Sequence, residues 1–115
     1  MNIKKLIGDL GERKVARLYI ANGYKIIARN FSCKYGELDI VARKNDVIVI
    51  IEVKTRNNCN YANARDFVDY YKQKRIRNTT DLFLQKNNLS EYIIRFDVAE
   101  VYTDDNTINI IENAF

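Results

Sequence analysis

Val47-Ile48-Val49-Ile50-Ile51 is an unbroken apolar run that ends in Glu52-Val53-Lys54. A run of this length reads as a strand with both faces covered, which requires a sheet with packing on either side. Strand side chains alternate with period two, so Glu52 and Lys54 share one face at its end. Upstream, Gly36-Glu37-Leu38-Asp39 leads into Ile40-Val41, a second strand with an acid at its mouth.

The two strands are separated by Lys44-Asn45-Asp46, short enough for an antiparallel hairpin. If Asn45 and Asp46 form a two-residue turn, Lys44 pairs with Val47, and counting back sets Asp39 opposite Glu52. Directly paired Cβ atoms lie about 4.5–5.5 Å apart on one face. A slip of one residue would send Asp39 to the other face. A two-residue turn therefore brings two carboxylates and a lysine together.

Two adjacent carboxylates repel unless something positive lies between them. Mg²⁺ or Mn²⁺ suits such a pair, because both ions prefer hard oxygen ligands and Mg²⁺ retains waters. The peptide carbonyl of Val53, next to Glu52, is placed to complete the shell. Such an ion polarises a phosphodiester oxygen and lowers the pKa of a coordinated water. Lys54 beside it would orient that water or hold charge in the transition state. The structural alternative is a cross-strand salt bridge on an exposed sheet face, and the apolar run before Glu52 speaks against it.

Composition excludes other chemistries. The chain has no His, which removes Ser-His-Asp triads, and its two Cys cannot fill a tetrahedral zinc shell. Cys33 and Cys59, without CxxC spacing, read as reduced, unpaired thiols. At 115 residues the chain is expected to be a single domain spanning 1–115. No apolar run is long enough for a membrane span, and residues 1–10 lack a signal-peptide core, so a cytoplasmic protein is expected. The net charge of +4 is compatible with a phosphate-bearing partner without demanding one.

Ile3 to Ala21 reads as a helix, with Ile3, Leu6, Ile7 and Leu10 at helical spacing and Asn22-Gly23 as its stop. Glu12 lies on a stripe with Gly8, Val15, Ala16 and Tyr19 that should face the protein. An ion pair with a basic side chain at the stripe's edge accounts for it on the helix alone. Gly8 and Gly11 weaken the helix and suggest a close approach to another element. A strand follows from Tyr24 to about Ser32, then Glu37–Arg43 and Val47–Thr55.

Ala64 to Lys86 reads as a second helix, with Ala64, Phe67, Val68, Tyr71, Ile76, Phe83 and Leu84 as an apolar stripe and Asn87-Asn88 as its end. Within it, Lys72, Lys74, Arg75 and Arg77 form a basic run. This is a solvated face by default, and a phosphate-binding one beside a phosphodiesterase site. Arg56 to Asn63 reads as a polar loop at the catalytic end of the strand, with Tyr61 covering a sheet edge or stacking on a base. Tyr92–Tyr102 reads as a strand, and Asp104-Asp105-Asn106 as a turn into Thr107–Ile111. Asp97 reads as an exposed strand position, with an outer-shell carboxylate as the alternative.

Helix, three strands, helix and one or two strands, together with Asp39 and Glu52-Val53-Lys54, resemble the PD-(D/E)xK nuclease superfamily. The resemblance implies an α/β fold with a restriction-endonuclease-like αβββαβ core, a mixed central sheet flanked by helices. Gly8-Asp9-Leu10-Gly11-Glu12, Ala16, Tyr19, Gly23-Tyr24, Arg29-Asn30, Gly36-Glu37-Leu38-Asp39, Glu52-Val53-Lys54-Thr55-Arg56, Lys72-Gln73 and Arg95-Phe96-Asp97-Val98 resemble the YraN family. These are small bacterial proteins described as endonuclease-like and related to Holliday-junction resolvases.

The resemblance implies a Mg²⁺- or Mn²⁺-dependent endonuclease acting on DNA, branched DNA included, in recombination or repair. DNA is expected over RNA. Glu12, Asp39 and Glu52 would be metal ligands, Lys54 the catalytic lysine and Gln73 a supporting residue. Arg56, Lys72, Lys74, Arg75 and Arg77 would contact nucleic acid. Glu37 is placed on the opposite strand face from Asp39 and given a structural role. Resolving a four-way junction needs two nicks, so a homodimer is expected. The alternative is an accessory nucleic-acid-binding protein that keeps the fold and cleaves little, a reading that leaves the acid cluster without a purpose. Asn57-Asn58-Cys59-Asn60 departs from the Gly-containing loop of the family.

Overall fold

The hairpin turns where its side chains allow it. Asn45 adopts φ 55°, a left-handed conformation that Asn tolerates and a two-residue turn requires. With that turn Lys44 pairs with Val47, and the ladder runs back through Arg43–Ile48, Ala42–Val49 and Val41–Ile50 to Ile40–Ile51. This is the register predicted by counting.

The structure is a computed structural model describing residues 2–56 and 68–115. Around the hairpin the order is α1 (Ile3–Ala21), β1 (Lys25–Cys33), β2 (Gly36–Lys44), β3 (Val47–Arg56), α2 (Tyr70–Lys86), β4 (Ile93–Tyr102) and β5 (Thr107–Ile111). One sheet holds all five strands in sequence order. β3 pairs with β4 in parallel, and the other neighbours are antiparallel. A parallel pair needs a crossover, and α2 lies in it. The molecule is an α/β fold with a mixed sheet, consistent with a restriction-endonuclease-like αβββαβ core extended by β5.

Each helix covers one sheet face. Ile76, Phe83 and Leu84 of α2 pack with Val41, Ile48, Ile50, Phe96 and Val98. Val15, Ala16 and Tyr19 of α1 pack with Ile40, Ala42, Val49, Ile51, Ala99 and Val101. Alternate residues of β3 thus enter opposite cores, which is why its sequence is apolar without interruption. Gly11 lies against β3. A Cβ there would collide with the Thr55 hydroxyl and stand 3.7 Å from Val101. No helix among the described residues is long and apolar enough to cross a membrane.

Ile3, Leu6, Ile7 and Leu10 lie on the helix as expected and are exposed; the buried residues of α1 are Gly11, Val15, Ala16 and Tyr19, so the stripe expected to face the protein does so through Val15, Ala16 and Tyr19. Four other expectations need correction. Gly8 has open space around it, so close approach explains Gly11 alone. α2 starts at Tyr70, because Asp69 caps it by accepting the Lys72 N–H at 2.8 Å. Val68 lies before the helix, and Tyr71, assigned to the core stripe, is exposed. Residues 57–67, including Tyr61, Ala64 and Phe67, lie outside the described residues.

The fourth correction is Asp97, which is wholly buried. Its carboxylate accepts from the Tyr19 hydroxyl at 2.7 Å, from Nε and Nη2 of Arg95 at 2.9 Å each, and from the Asn113 N–H at 3.0 Å. These bonds join α1, β4 and the C-terminal segment. The carboxylate beside it pushes the Tyr19 hydroxyl's pKa upward, after burial as the main cause. Glu100, also buried, accepts from the Tyr102 hydroxyl and the Asn109 amide at 2.9 Å each.

Candidate active site

β2 and β3 pair regularly up to Ile40–Ile51, and no further. Where the ladder stops, the Val53 N–H donates to Oδ2 of Asp39 at 2.8 Å instead of to a strand carbonyl. That bond holds Asp39 at the mouth of the hairpin. Glu52, 5% exposed, lies within hydrogen-bonding reach of the Asp39 carboxyl. Period two from Ile50 places Glu52 and Lys54 on the α2 face.

Between that face and α2 is a cavity of 370 Å³. Asp39, Glu52, Val53 and Lys54 line one side, and Lys72, Arg75 and Ile76 of α2 the other. Gly36 and Glu37 complete it from the start of β2. Glu37 borders the same cavity as Asp39, but strand alternation is interrupted between them: Leu38 packs with Val41 in the α2 core while Ile40 packs in the α1 core, and Glu37 also lies near enough to Glu12 of α1 to raise its pKa.

Burial raises the Glu52 pKa to about 8, with Asp39 adding to the shift and Lys72 and Lys54 opposing it. Burial lowers the Lys54 pKa to about 8; Lys72, within hydrogen-bonding reach, adds to the shift, and Glu52 and Asp39 oppose it. The site thus holds two acids in contact and two amines in contact, each pair costly on its own and each the counter-charge of the other.

Glu12 approaches from α1. Burial raises its pKa to about 7, with Asp39 adding to the shift and Arg29 opposing it. It forms an ion pair with Arg29 at 3.7 Å, so the salt-bridge reading of the helix stripe holds. Yet its Oε1 is buried and accepts no hydrogen bond. Glu12 lines a separate cavity of 400 Å³ with Lys4, Ile7, Gly8, Thr55 and Arg56. Val53 is common to both cavities.

The remaining expected residues separate by position. Lys72 and Arg75 face the acid cavity; Lys74 is exposed outside it. The Arg77 guanidinium stacks over Phe96 at 4.7 Å and Phe115 at 5.5 Å, a packing role that accounts for its charge without a phosphate. The Gln73 amide donates to the Val68 carbonyl at 2.9 Å and fixes the entry to α2, outside the cavity lining. The Arg56 carbonyl accepts from the Thr103 N–H and hydroxyl, tying the end of β3 to β4. Missing from the sequence reading was the contact of Lys72 with Lys54. Recognising Asp69 as a helix cap would have set the phase of α2 and shown it.

Among the described residues no three His, Cys, Asp or Glu side chains converge tightly enough to enclose an ion by themselves. Asp39 and Glu52 do converge, and Glu12, whose Oε1 accepts no hydrogen bond, lies close enough for Asp39 to raise its pKa. Magnesium keeps several waters and commonly takes only one or two carboxylates. The donor set fits such an ion.

A family profile described as "Uncharacterised protein family UPF0102" matches residues 11–101, a span that holds Glu12, Asp39, Glu52, Lys54 and Gln73. The chain belongs to the UPF0102, or YraN, family. A UPF0102 protein of Clostridium tetani is 40% identical over 115 residues, covering 96% of this chain and 94% of its own. One of Caldanaerobacter subterraneus is 38% identical, covering 97% and 96%. Another, of Clostridioides difficile, is 40% identical, covering 94% and 95%. UPF0102 membership thus extends over nearly the whole chain.

Proposed function

We propose that this UPF0102 member is a metal-dependent endonuclease that hydrolyses phosphodiester bonds in DNA, branched DNA included, with Mg²⁺ or Mn²⁺ held by Asp39 and Glu52. The observation that carries the reading is the contact of these two carboxyls beside Lys54, at the point where the hairpin ladder opens into a cavity. A purely structural role would not require two acids in contact in a nearly buried place.

The bound ion would supply Lewis-acid polarisation of the phosphate and a water of lowered pKa. The Val53 N–H fixes the Asp39 carboxylate at the cavity, where with Glu52 it would hold the ion. Lys54 and Lys72 present positive charge where the phosphate gains negative charge in the transition state, and Arg75 extends that charge along α2. Gln73 fixes the backbone before the turn that carries Lys72. Glu12 completes the acid set from α1. DNA as the partner in preference to RNA, a cytoplasmic location and a homodimer able to make two nicks belong to the same proposal.

The test is an assay of the protein with single-stranded, duplex, flapped and four-way DNA and structured RNA, in Mg²⁺ or Mn²⁺. A Glu52→Ala/Lys54→Ala variant runs beside it. Metal-dependent cleavage by the wild type is expected, reduced at least about 100-fold in the variant. Equal nicking by both would overturn the site. Tight binding without cleavage in any metal would leave an accessory nucleic-acid-binding protein.

A further inference from the structure

Tyr70 and Tyr71 open α2 immediately after its cap, and they are 68% and 71% exposed. Single exposed tyrosines are common and need no explanation. These two are adjacent and lean on each other edge to face, with ring centroids 5.6 Å apart and planes at 77°. They do not reach the core, although the next residue, Lys72, lines the acid cavity.

Residues three and four apart are neighbours on a helix surface. Lys74 therefore follows Tyr70 and Tyr71 by one turn, and Arg75 follows Tyr71 by one turn. Cations of α2 thus accompany both rings, and Lys72 and Arg75 point into the cavity. Exposed aromatic faces interleaved with cations are how proteins hold unpaired nucleotides: the rings stack on bases while the cations take the phosphates. A paired base in a duplex already stacks on its neighbours and has no face to offer.

We propose that Tyr70 and Tyr71 form a stacking platform for unpaired bases, so that the substrate is DNA with unpaired nucleotides beside the bond to be cut. The position of that bond rests on the phosphodiesterase reading of the Asp39–Glu52 cavity; the platform does not. Fully paired duplex would engage only the cations and bind in a salt-dependent, structure-blind manner.

The test measures binding by fluorescence anisotropy without divalent metal, on single-stranded, flapped and blunt duplex DNA. Wild type is compared with Tyr70→Ala/Tyr71→Ala and with Tyr70→Phe/Tyr71→Phe. The alanine variant is expected to bind single-stranded and flapped DNA about tenfold more weakly. It should bind blunt duplex unchanged, and the phenylalanine variant should match the wild type throughout. A 2-aminopurine in the flap should be quenched by wild type and not by the alanine variant. Equal affinity of wild type and the alanine variant for flapped DNA would overturn the proposal, as would an equal loss on blunt duplex. Tyrosine-dependent binding by a protein that never cleaves would uphold the platform and sink the nuclease reading. Cleavage of flapped DNA with no tyrosine dependence would do the reverse.

Discussion

Glu52 and Asp97 are acids in neighbouring central strands, 5% and 0% exposed, and their surroundings give them opposite roles. Asp97 receives four hydrogen bonds from three residues, so its charge is met within the fold. Glu52 has another carboxyl beside it and meets Lys54 and Lys72 across a cavity, so its charge is only partly offset within the fold. Asp97→Ala takes the acceptor from the Tyr19 hydroxyl and leaves Arg95 to the Tyr24 hydroxyl and Glu112, and should cost about 3 kcal/mol, read as a lower urea midpoint. The hairpin count made the Asp39–Glu52 meeting legible, because register depends only on a local turn. The burial of Asp97 was not legible. It depends on Tyr19, a residue of α1 far away in sequence, and strand alternation says nothing about which partner arrives.

At the scale of elements, α1 carries two glycines with opposite reasons for being there. At Gly11 the helix touches Thr55 and Val101, so Gly11→Leu must push α1 off the sheet, at a cost of about 1–3 kcal/mol. Gly8 has open space, so Gly8→Ala should gain about 1 kcal/mol from helix propensity alone. Thermal unfolding of the two variants separates the cases, and equal effects would refute the contact. Helix α1 and the hairpin were legible in the sequence to within a residue or two, since periodicity and turn chemistry are local. The covered face of α1 was legible as well, for the stripe of Val15, Ala16 and Tyr19 is buried, whereas Ile3, Leu6, Ile7 and Leu10 share the helical spacing and stay exposed. The start of α2 was misplaced because apolar spacing was weighed above the Asp69 cap, and with it went the exposure of Tyr71.

For the whole molecule, the acid cluster should make stability depend on pH and, at the proposed metal site, on divalent ions. Native Glu52 and Glu12 have pKa values raised to about 8 and about 7, against 4.5 ordinarily. The native state therefore holds more protons than the unfolded chain above pH 4.5. Metal-free stability should fall as pH rises from about 5 to 8. Lys54, lowered to about 8 from 10.5, reverses the slope only above that window. Mg²⁺ or Mn²⁺ should raise the melting temperature most near pH 8. Glu52→Gln should flatten both the pH slope and the metal response; an unchanged slope in that variant would refute the assignment. The layered αβββαβ order was legible because each element announced itself locally. The strand pairing across the crossover carries a further consequence, and it is kinetic. The hairpin closes Lys44 on Val47, nearest neighbours along the chain, whereas Val47 must wait for Ile93 to complete the parallel pair. Loop closure favours the short contact, so the hairpin is expected to form before α2 and β4 dock. Asp39 and Glu52 would then be brought together before Lys72 has come to face them. Their repulsion would weigh on the folding barrier itself, and a divalent cation should speed folding as well as slow unfolding, which refolding rates with and without Mg²⁺ would check.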